Sequence, residues 1–241
     1  MTFGSLFSGI GGIDLGLERA GMTCRWQVEI DPFCRRVLAK HWPDVRRHDD
    51  VRTFPPTDPA DWGVDLIAGG FPCQDISYAN QDGEGLDGER SGLWWQFARI
   101  IREIRPRHVL VENVSALLTR GLDAVLGTLA ADGYDAEWSC IPAAAVGARH
   151  LRRRMFIVAT ARILDHADRI APRCFDRQGR EGRRLSESGV RHRIRRGPWS
   201  GEPGVPRVVN GLPDRMDRCR VLGNAVVPQI SEWIGRRLME A

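Results

Sequence analysis

Phe3-Gly4-Ser5-Leu6-Phe7-Ser8-Gly9-Ile10-Gly11-Gly12-Ile13-Asp14-Leu15-Gly16-Leu17 is the stretch that decides the fold. Phe3 to Phe7 reads as a buried strand, the glycines as a turn, and Ile13, Leu17 and Ala20 as one face of a helix. Working outward, Cys24 to Val28 reads as a second strand, followed by a helix whose Pro32 suits a first-turn position. Asp65 to Ala68 and Val109 to Val111 are further buried strands, and Met155 to Ala159 is a last one. Leu93 to Ile104, stopped by Pro106, and Gly121 to Ala131 read as helices. Strands alternating with helices of this length indicate an α/β, doubly wound, mostly parallel sheet.

The whole chain bounds this reading. Its 241 residues suffice for one α/β domain and a small additional lobe. No apolar run approaches the roughly 20 residues of a membrane span. The apolar opening from Phe3 to Leu17 lacks a basic flank and holds Asp14, so no signal peptide is expected. The six cysteines stand far apart with no C-x-x-C pair, which argues against a metal site or a disulfide framework and for a reducing cytoplasm. Of 35 basic residues only Lys40 is lysine. Coding bias accounts for arginine over lysine, but not for where the charge sits. Arg162 to Arg207 carries 12 Arg against 6 Asp/Glu, and the remainder 23 basic against 25 acidic residues. The positive excess lies in one loop-rich segment, as contact with a phosphate backbone requires. Val221 to Leu238 returns to helical periodicity and is expected to pack back on the main domain.

Six short motifs stand out, most of them beside strands. Phe7 to Gly12 is a glycine turn below a helix start, without the spacing of a dinucleotide fingerprint. Glu29-Ile30-Asp31 closes the second strand, where a carboxylate can accept from ribose hydroxyls. Together they read as an adenosine site without a pyrophosphate; alone, the first is a plain tight turn. Gly69-Gly70-Phe71-Pro72-Cys73-Gln74 sets a cysteine just beyond a strand, where open α/β sheets hold ligands, before a polar glycine-rich loop from Asp75 to Gly92. Glu112-Asn113-Val114 is read as following the Val109 to Val111 strand, where a half-desolvated carboxyl becomes a proton donor or, equally, a helix cap before Ser115. Arg152-Arg153-Arg154 reads as a solvated edge before the last strand, and Gly223 to Pro228 as a close-packed turn into the final helix.

The sequence resembles the DNA (cytosine-5)-methyltransferase family, with its compact phage-like branch as the nearest form. The family's ordered motifs F-x-G-x-G, E-x-D, P-C-Q, E-N-V, Q-x-R-x-R and G-N-[SA]-V all occur here in order, over about residues 3–160 and 221–238. The resemblance implies a class I S-adenosylmethionine-dependent methyltransferase fold, Rossmann-like, acting on carbon 5 of cytosine in double-stranded DNA. It implies that Cys73 adds to carbon 6 of a flipped cytosine, that Glu112 protonates ring nitrogen 3, and that Asn113 holds the loop geometry. Arg154 would contact the cytosine O2, and Arg152 would fix Glu112 and the loop. Phe7 would stack on adenine, Gly9, Ile10, Gly11 and Gly12 would pass beneath the methionine part, and Glu29 with Ile30 would take the ribose. Asp50 and Val51 match the adenine-binding acidic position. Pro72, Leu93, Asn224 and Val226 would complete the cofactor pocket, with Gln74 and Ser77 touching DNA. No metal is implied.

Two departures qualify the match. His150 stands where glutamine is usual, and residues 162–220 offer an arginine-rich stretch where family members carry a sizeable recognition domain. The expected division is 1–161 as cofactor-binding catalytic domain, 162–220 as a reduced recognition region and 221–241 as a returning helix. A cytoplasmic monomer is expected, without membrane contact, working alone or with a cognate restriction endonuclease or a specificity partner. The alternatives are an RNA cytosine-5 methyltransferase, disfavoured by Asp75-Ile76-Ser77, and a non-catalytic DNA-binding relic, disfavoured by the presence of both Cys73 and Glu112.

Overall fold

The structure, a computed structural model, describes residues 1–72, 93–148, 150–162 and 224–240. Cys73, Gln74 and Ser77, the loop from Asp75 to Gly92 and nearly all of the basic segment lie outside the described residues. A seven-stranded sheet organises the rest. Its strands are β1 Thr2–Leu6, β2 Thr23–Val28, β3 Arg46–His48, β4 Leu66–Gly69, β5 His108–Val114, β6 Tyr134–Pro142 and β7 Arg153–Ala161, in the spatial order β3-β2-β1-β4-β5-β7-β6. The first five in that order pair parallel, and β7 pairs antiparallel with both β5 and β6. The expected mostly parallel sheet is therefore present, with an antiparallel edge.

Helices α1 Gly12–Arg19, α2 Pro32–His41, α3 Trp94–Ile104, α4 Leu122–Ala131 and α5 Pro228–Glu240 complete the described fold. Local chemistry sets their ends. Asp31 caps α2 by accepting from Phe33 N (2.8 Å) and Cys34 N (3.2 Å), with Pro32 in the first turn. Helix α3 stops at Arg105, which takes a left-handed conformation just before Pro106.

Alternation along the strands sends side chains to two cores. Val109 and Val111 face a cluster with Trp94, Phe97, Ile101 and Leu129, whereas Leu110 joins Phe3, Leu66, Phe156, Leu17 and Ile234 on the α1/α5 side. Each fully buried aliphatic chain contributes roughly 1.5–3 kcal/mol. Truncating Leu110 to Ala would cost roughly 2–5 kcal/mol.

The structure revises three sequence expectations. Strand β5 does not end at Val111 but runs to Val114, because β7 pairs with it through Asn113↔Met155 and Val114↔Arg154. Glu112 and Asn113 are thus strand residues, and Val114 makes no side-chain cap to the short turn after it. By the same pairing Arg153 and Arg154 belong to β7 rather than to a solvated edge preceding it. Two strands were not expected, the three-residue β3 and the edge strand β6. Strand β6 carries Asp135 and Glu137 and is only partly covered, so it shows no continuous apolar run.

Candidate active site

The strand order reverses direction between β1 and β4, so their carboxyl ends frame the crevice in which sheets of this kind hold ligands. The Phe7–Gly12 turn leaves β1 there. Phe7 has φ 53, a left-handed conformation that costs a non-glycine residue about 1–3 kcal/mol and marks ligand loops. Gly11 has φ 81, and a Cβ on it would run into the Trp42 ring. The turn is tied to the end of β2: Gly9 N donates to Glu29 Oε2 at 2.7 Å and Asp31 N donates to Glu29 Oε1 at 2.8 Å. Burial pushes the Glu29 carboxyl up, and these two N–H groups pull it back toward the ionised form. Each oxygen retains acceptor capacity for a further donor. Ile30, 61% exposed, lies open beside it.

Sequence reading missed the network under this turn. Asp14, fully buried in α1, accepts from the Ser5 hydroxyl (3.1 Å) and from Gln27 Nε2 (2.9 Å), and Ser8 Oγ lies 2.9 Å from Ser5 Oγ. Burial raises the Asp14 pKa to about 6. A carboxylate placed between the buried positions Ile13 and Leu17 was the available signal.

After β3 the chain makes a tight turn at Val51–Thr53, capped by Asp50. Arg52 donates to the Asp50 carboxylate from its backbone N (2.9 Å), Nε (3.0 Å) and Nη2 (2.8 Å), holding that carboxyl below its ordinary range. Val51 is buried. Leu93 precedes α3 and packs partly buried against the core that includes Val51 and Phe71.

Glu112 occupies the opposite wall. Strand alternation sends it to the face that Leu110 and Phe156 share, while Asn113 points to the other. Glu112 is 8% exposed, and Arg154 Nε lies 3.1 Å from Oε1, a charge contact without hydrogen-bond alignment. Burial dominates and raises the pKa to about 7, with Arg154 and then Arg152 opposing it. Such a carboxyl is close to half protonated at neutral pH, as a general acid requires. Gly70 makes room for it: a Cβ there would stand 2.6 Å from Glu112 Oε2. Asn113 Nδ2 donates to Phe71 O at 3.2 Å, and Phe71 packs against Trp94 with ring centroids 5.6 Å apart. The Gly70-Phe71-Pro72 segment, which leads into Cys73, is therefore fastened to the strand that carries Glu112.

Helix α5 closes the crevice from the far end of the chain. A Cβ on Gly12 would lie 2.5 Å from Val226 O, and the Ser231 hydroxyl lies 3.4 Å from Gly12 O. Val226 is thereby set against the glycine turn, whereas Asn224 is exposed. Among the described residues the structure brings together two groups: Phe7 to Gly12, Glu29, Ile30 and Val226 at the β1/β2 end, and Pro72, Glu112, Arg152 and Arg154 at the β4/β5 end. No group of three His, Cys, Asp or Glu side chains among the described residues could hold a metal, and no described helix is long and apolar enough to cross a membrane.

Comparison with known proteins gives the family and the fold. Over residues 1–185 the chain matches the family model for C-5 cytosine-specific DNA methylases. It is 36% identical over 167 residues to the Type II methyltransferase M2.BsuMI of Bacillus subtilis, covering 65% of this chain and 41% of that protein. It is 34% identical over 181 residues to M.Sau3AI of Staphylococcus aureus, covering 67% and 44%. The chain thus spans less than half the length of these curated relatives. A solved structure of a candidate DNA modification methyltransferase encoded within an Escherichia coli prophage superposes with a TM-score of 0.57 at 26% identity, over 67% of this chain and 47% of that one. A Dnmt2 variant from Spodoptera frugiperda gives the same TM-score at 20% identity, over 68% and 50%, and shares the fold. By the family match over residues 1–185, the chain belongs to the C-5 cytosine-specific DNA methylase family.

Proposed function

We propose that this protein transfers a methyl group from S-adenosylmethionine to carbon 5 of cytosine in DNA. The observation that carries this is the buried Glu112 carboxyl, with a pKa of about 7, at the end of β5 beside the segment leading into Cys73. Type II methyltransferases among the relatives support DNA as the substrate.

The crevice suits the cofactor. Space lies open above Gly9, Glu29 keeps acceptor capacity for ribose hydroxyls, and Phe7 and the exposed Ile30 offer apolar surface for adenine, with the buried Val51 as a third apolar candidate. Gly11 and Gly12 with Val226, and Pro72 with Leu93 and Asn224, would line the methionine end. When bound there, the cofactor supplies an electrophilic methyl group on a sulfonium, which carbon 5 of cytosine accepts.

The chain's own residues prepare that carbon. Cytosine does not react within the stack, so the base is extruded at a cost of a few kcal/mol. Cys73, as thiolate, forms a bond to carbon 6 while Glu112 delivers its proton to ring nitrogen 3. Electron density then accumulates at carbon 5. Arg154 and Arg152 balance the charge left on Glu112, and Arg154 contacts the cytosine O2. After methylation the carbon 5 proton leaves to a water-borne base, the thiolate is expelled, and Glu112 recovers its proton from nitrogen 3. Gln74 and Ser77 contact the DNA, and the arginine-rich segment 162–220 grips phosphates between a catalytic part, 1–161, and the returning helix of 221–241. A cytoplasmic setting and a cognate restriction endonuclease or specificity partner fit this role.

Purified full-length protein tests the proposal. Incubated with S-adenosylmethionine and mixed-sequence duplex DNA, it should yield 5-methylcytosine by nucleoside mass spectrometry and leave RNA unmodified. Modified RNA with unmodified DNA would select the RNA alternative. Cofactor binding without either product would select the non-catalytic one.

A further inference from the structure

Arg99 lies on α3 and is absent from every motif above, yet all five of its N–H donors are used. Nε donates to Gln96 Oε1 (2.9 Å), and Nη1 to both carboxylate oxygens of Glu103 (2.9 and 2.8 Å). Nη2 leaves the helix altogether: it donates to Val51 O at 2.9 Å and Phe54 O at 2.7 Å, across 48 and 45 residues of sequence. Those two carbonyls bracket the turn that presents Asp50 and Val51.

The turn has two ends with different surroundings. Phe54 is locked in the core, its ring centroid 4.7 Å from that of Trp26 and 5.0 Å from that of Trp62. The other end reaches the crevice, where Glu29 N donates to His48 O at 3.1 Å. Between them Val51 is fixed by the guanidinium. The same helix also supports the neighbouring aromatic, since Phe97 lies two positions before Arg99 and its ring is 6.3 Å from that of Phe7. One helix thus holds two of the three apolar candidates for the adenine face, Phe7 through a ring and Val51 through a charge-assisted hydrogen bond.

We propose that Arg99 is a positioning residue for the adenosine end of the crevice, setting the Val51 turn at the depth an adenine ring requires. This rests on the cofactor reading above. Guanidinium geometry is essential to the role: a lysine offers three donors from a single point and cannot reach the Val51 and Phe54 carbonyls together with Glu103 and Gln96 in a planar fork.

Calorimetric titration with S-adenosylhomocysteine, together with steady-state kinetics, tests this in the full-length chain. Arg99→Ala should raise the Kd for that ligand and the KM for S-adenosylmethionine by about tenfold or more, with a much smaller change in kcat at saturating cofactor. Arg99→Lys should fall between Ala and wild type. Arg102→Ala serves as the stability control, because it breaks the α3 ion pair to Asp132 (2.8 Å) without touching the turn, and it should leave Kd unmoved. A folded Arg99→Ala with Kd within about twofold of wild type overturns the proposal, as does an equal rise in Arg102→Ala. Should Arg99→Ala not fold, Arg99→Lys alone decides, because a wild-type Kd in that variant overturns it. Absence of binding by the wild type overturns the cofactor reading, and this inference with it.

Discussion

Replacing Glu112 by Gln holds that side chain neutral at every pH, and the consequences for stability can be worked from the structure. The Glu112 pKa stands at about 7 against an ordinary 4.5, and burial is the main cause. Because the folded value is raised, the stability contributed by the protonated group is fully present below pH 4.5 and is lost as the pH climbs through about 7. At 1.36 kcal/mol per pKa unit, ionising Glu112 in place costs the native state about 3 kcal/mol at alkaline pH, and about 2.5 kcal/mol of this develops between pH 5 and pH 8. Glu112→Gln escapes that cost. Its stability relative to wild type should therefore improve by about 2.5 kcal/mol across this interval, a relative Tm gain of roughly 5–10 °C for a domain of this size. The pH difference isolates the ionisation, since any packing defect of glutamine is common to both conditions. Thermal melts of the two proteins at half-unit steps from pH 5 to pH 8.5 provide the assay. Parallel Tm curves would refute the reasoning, because they would mean that Glu112 titrates as an ordinary exposed carboxyl.

Further predictions concern activity. Cys73→Ser should abolish methyl transfer while S-adenosylhomocysteine still binds by calorimetry; residual methylation would remove Cys73 as the nucleophile. Wild-type kcat/KM should lose a required proton on the alkaline side of about pH 7, the pKa of Glu112. Arg154→Met removes the nearest opposing charge, so that limb should move to higher pH in a full pH–rate profile. Gly70→Ala places a methyl group 2.6 Å from Glu112 Oε2, which must swing aside; kcat should fall by roughly 10- to 100-fold with cofactor Kd little changed, and an unaltered kcat would refute the packing argument.

The parts of the molecule that sequence made legible are those where one strong periodicity or one special residue controls geometry. The β1–turn–α1 unit was readable because Phe3 and Leu6 are buried on a strand and Gly11 adopts φ 81, a conformation glycine tolerates best. Pro32 announced α2 by the same local logic, whereas the cap that Asp31 makes was not read from the sequence. Legibility failed where a partner strand decides the outcome. Glu112 and Asn113 look like a strand end because polar residues follow an apolar run, yet β7 pairing keeps them extended. Strand β6 hid for a related reason, since its acidic positions face outward on an edge. Contacts across long sequence separations left no local trace at all. Nothing in the sequence links Gly70 to Glu112, or Arg99 to Val51, because each depends on how the sheet brings distant segments together.

Cytosine methylation of DNA can be read by expressing the chain in a host without cytosine methylation and sequencing its DNA after bisulfite treatment. Wild type should leave protected cytosines, at a short recurring motif or scattered, and Cys73→Ser none. Complete conversion of every cytosine in cells that make folded, cofactor-binding wild-type protein would contradict the proposed function.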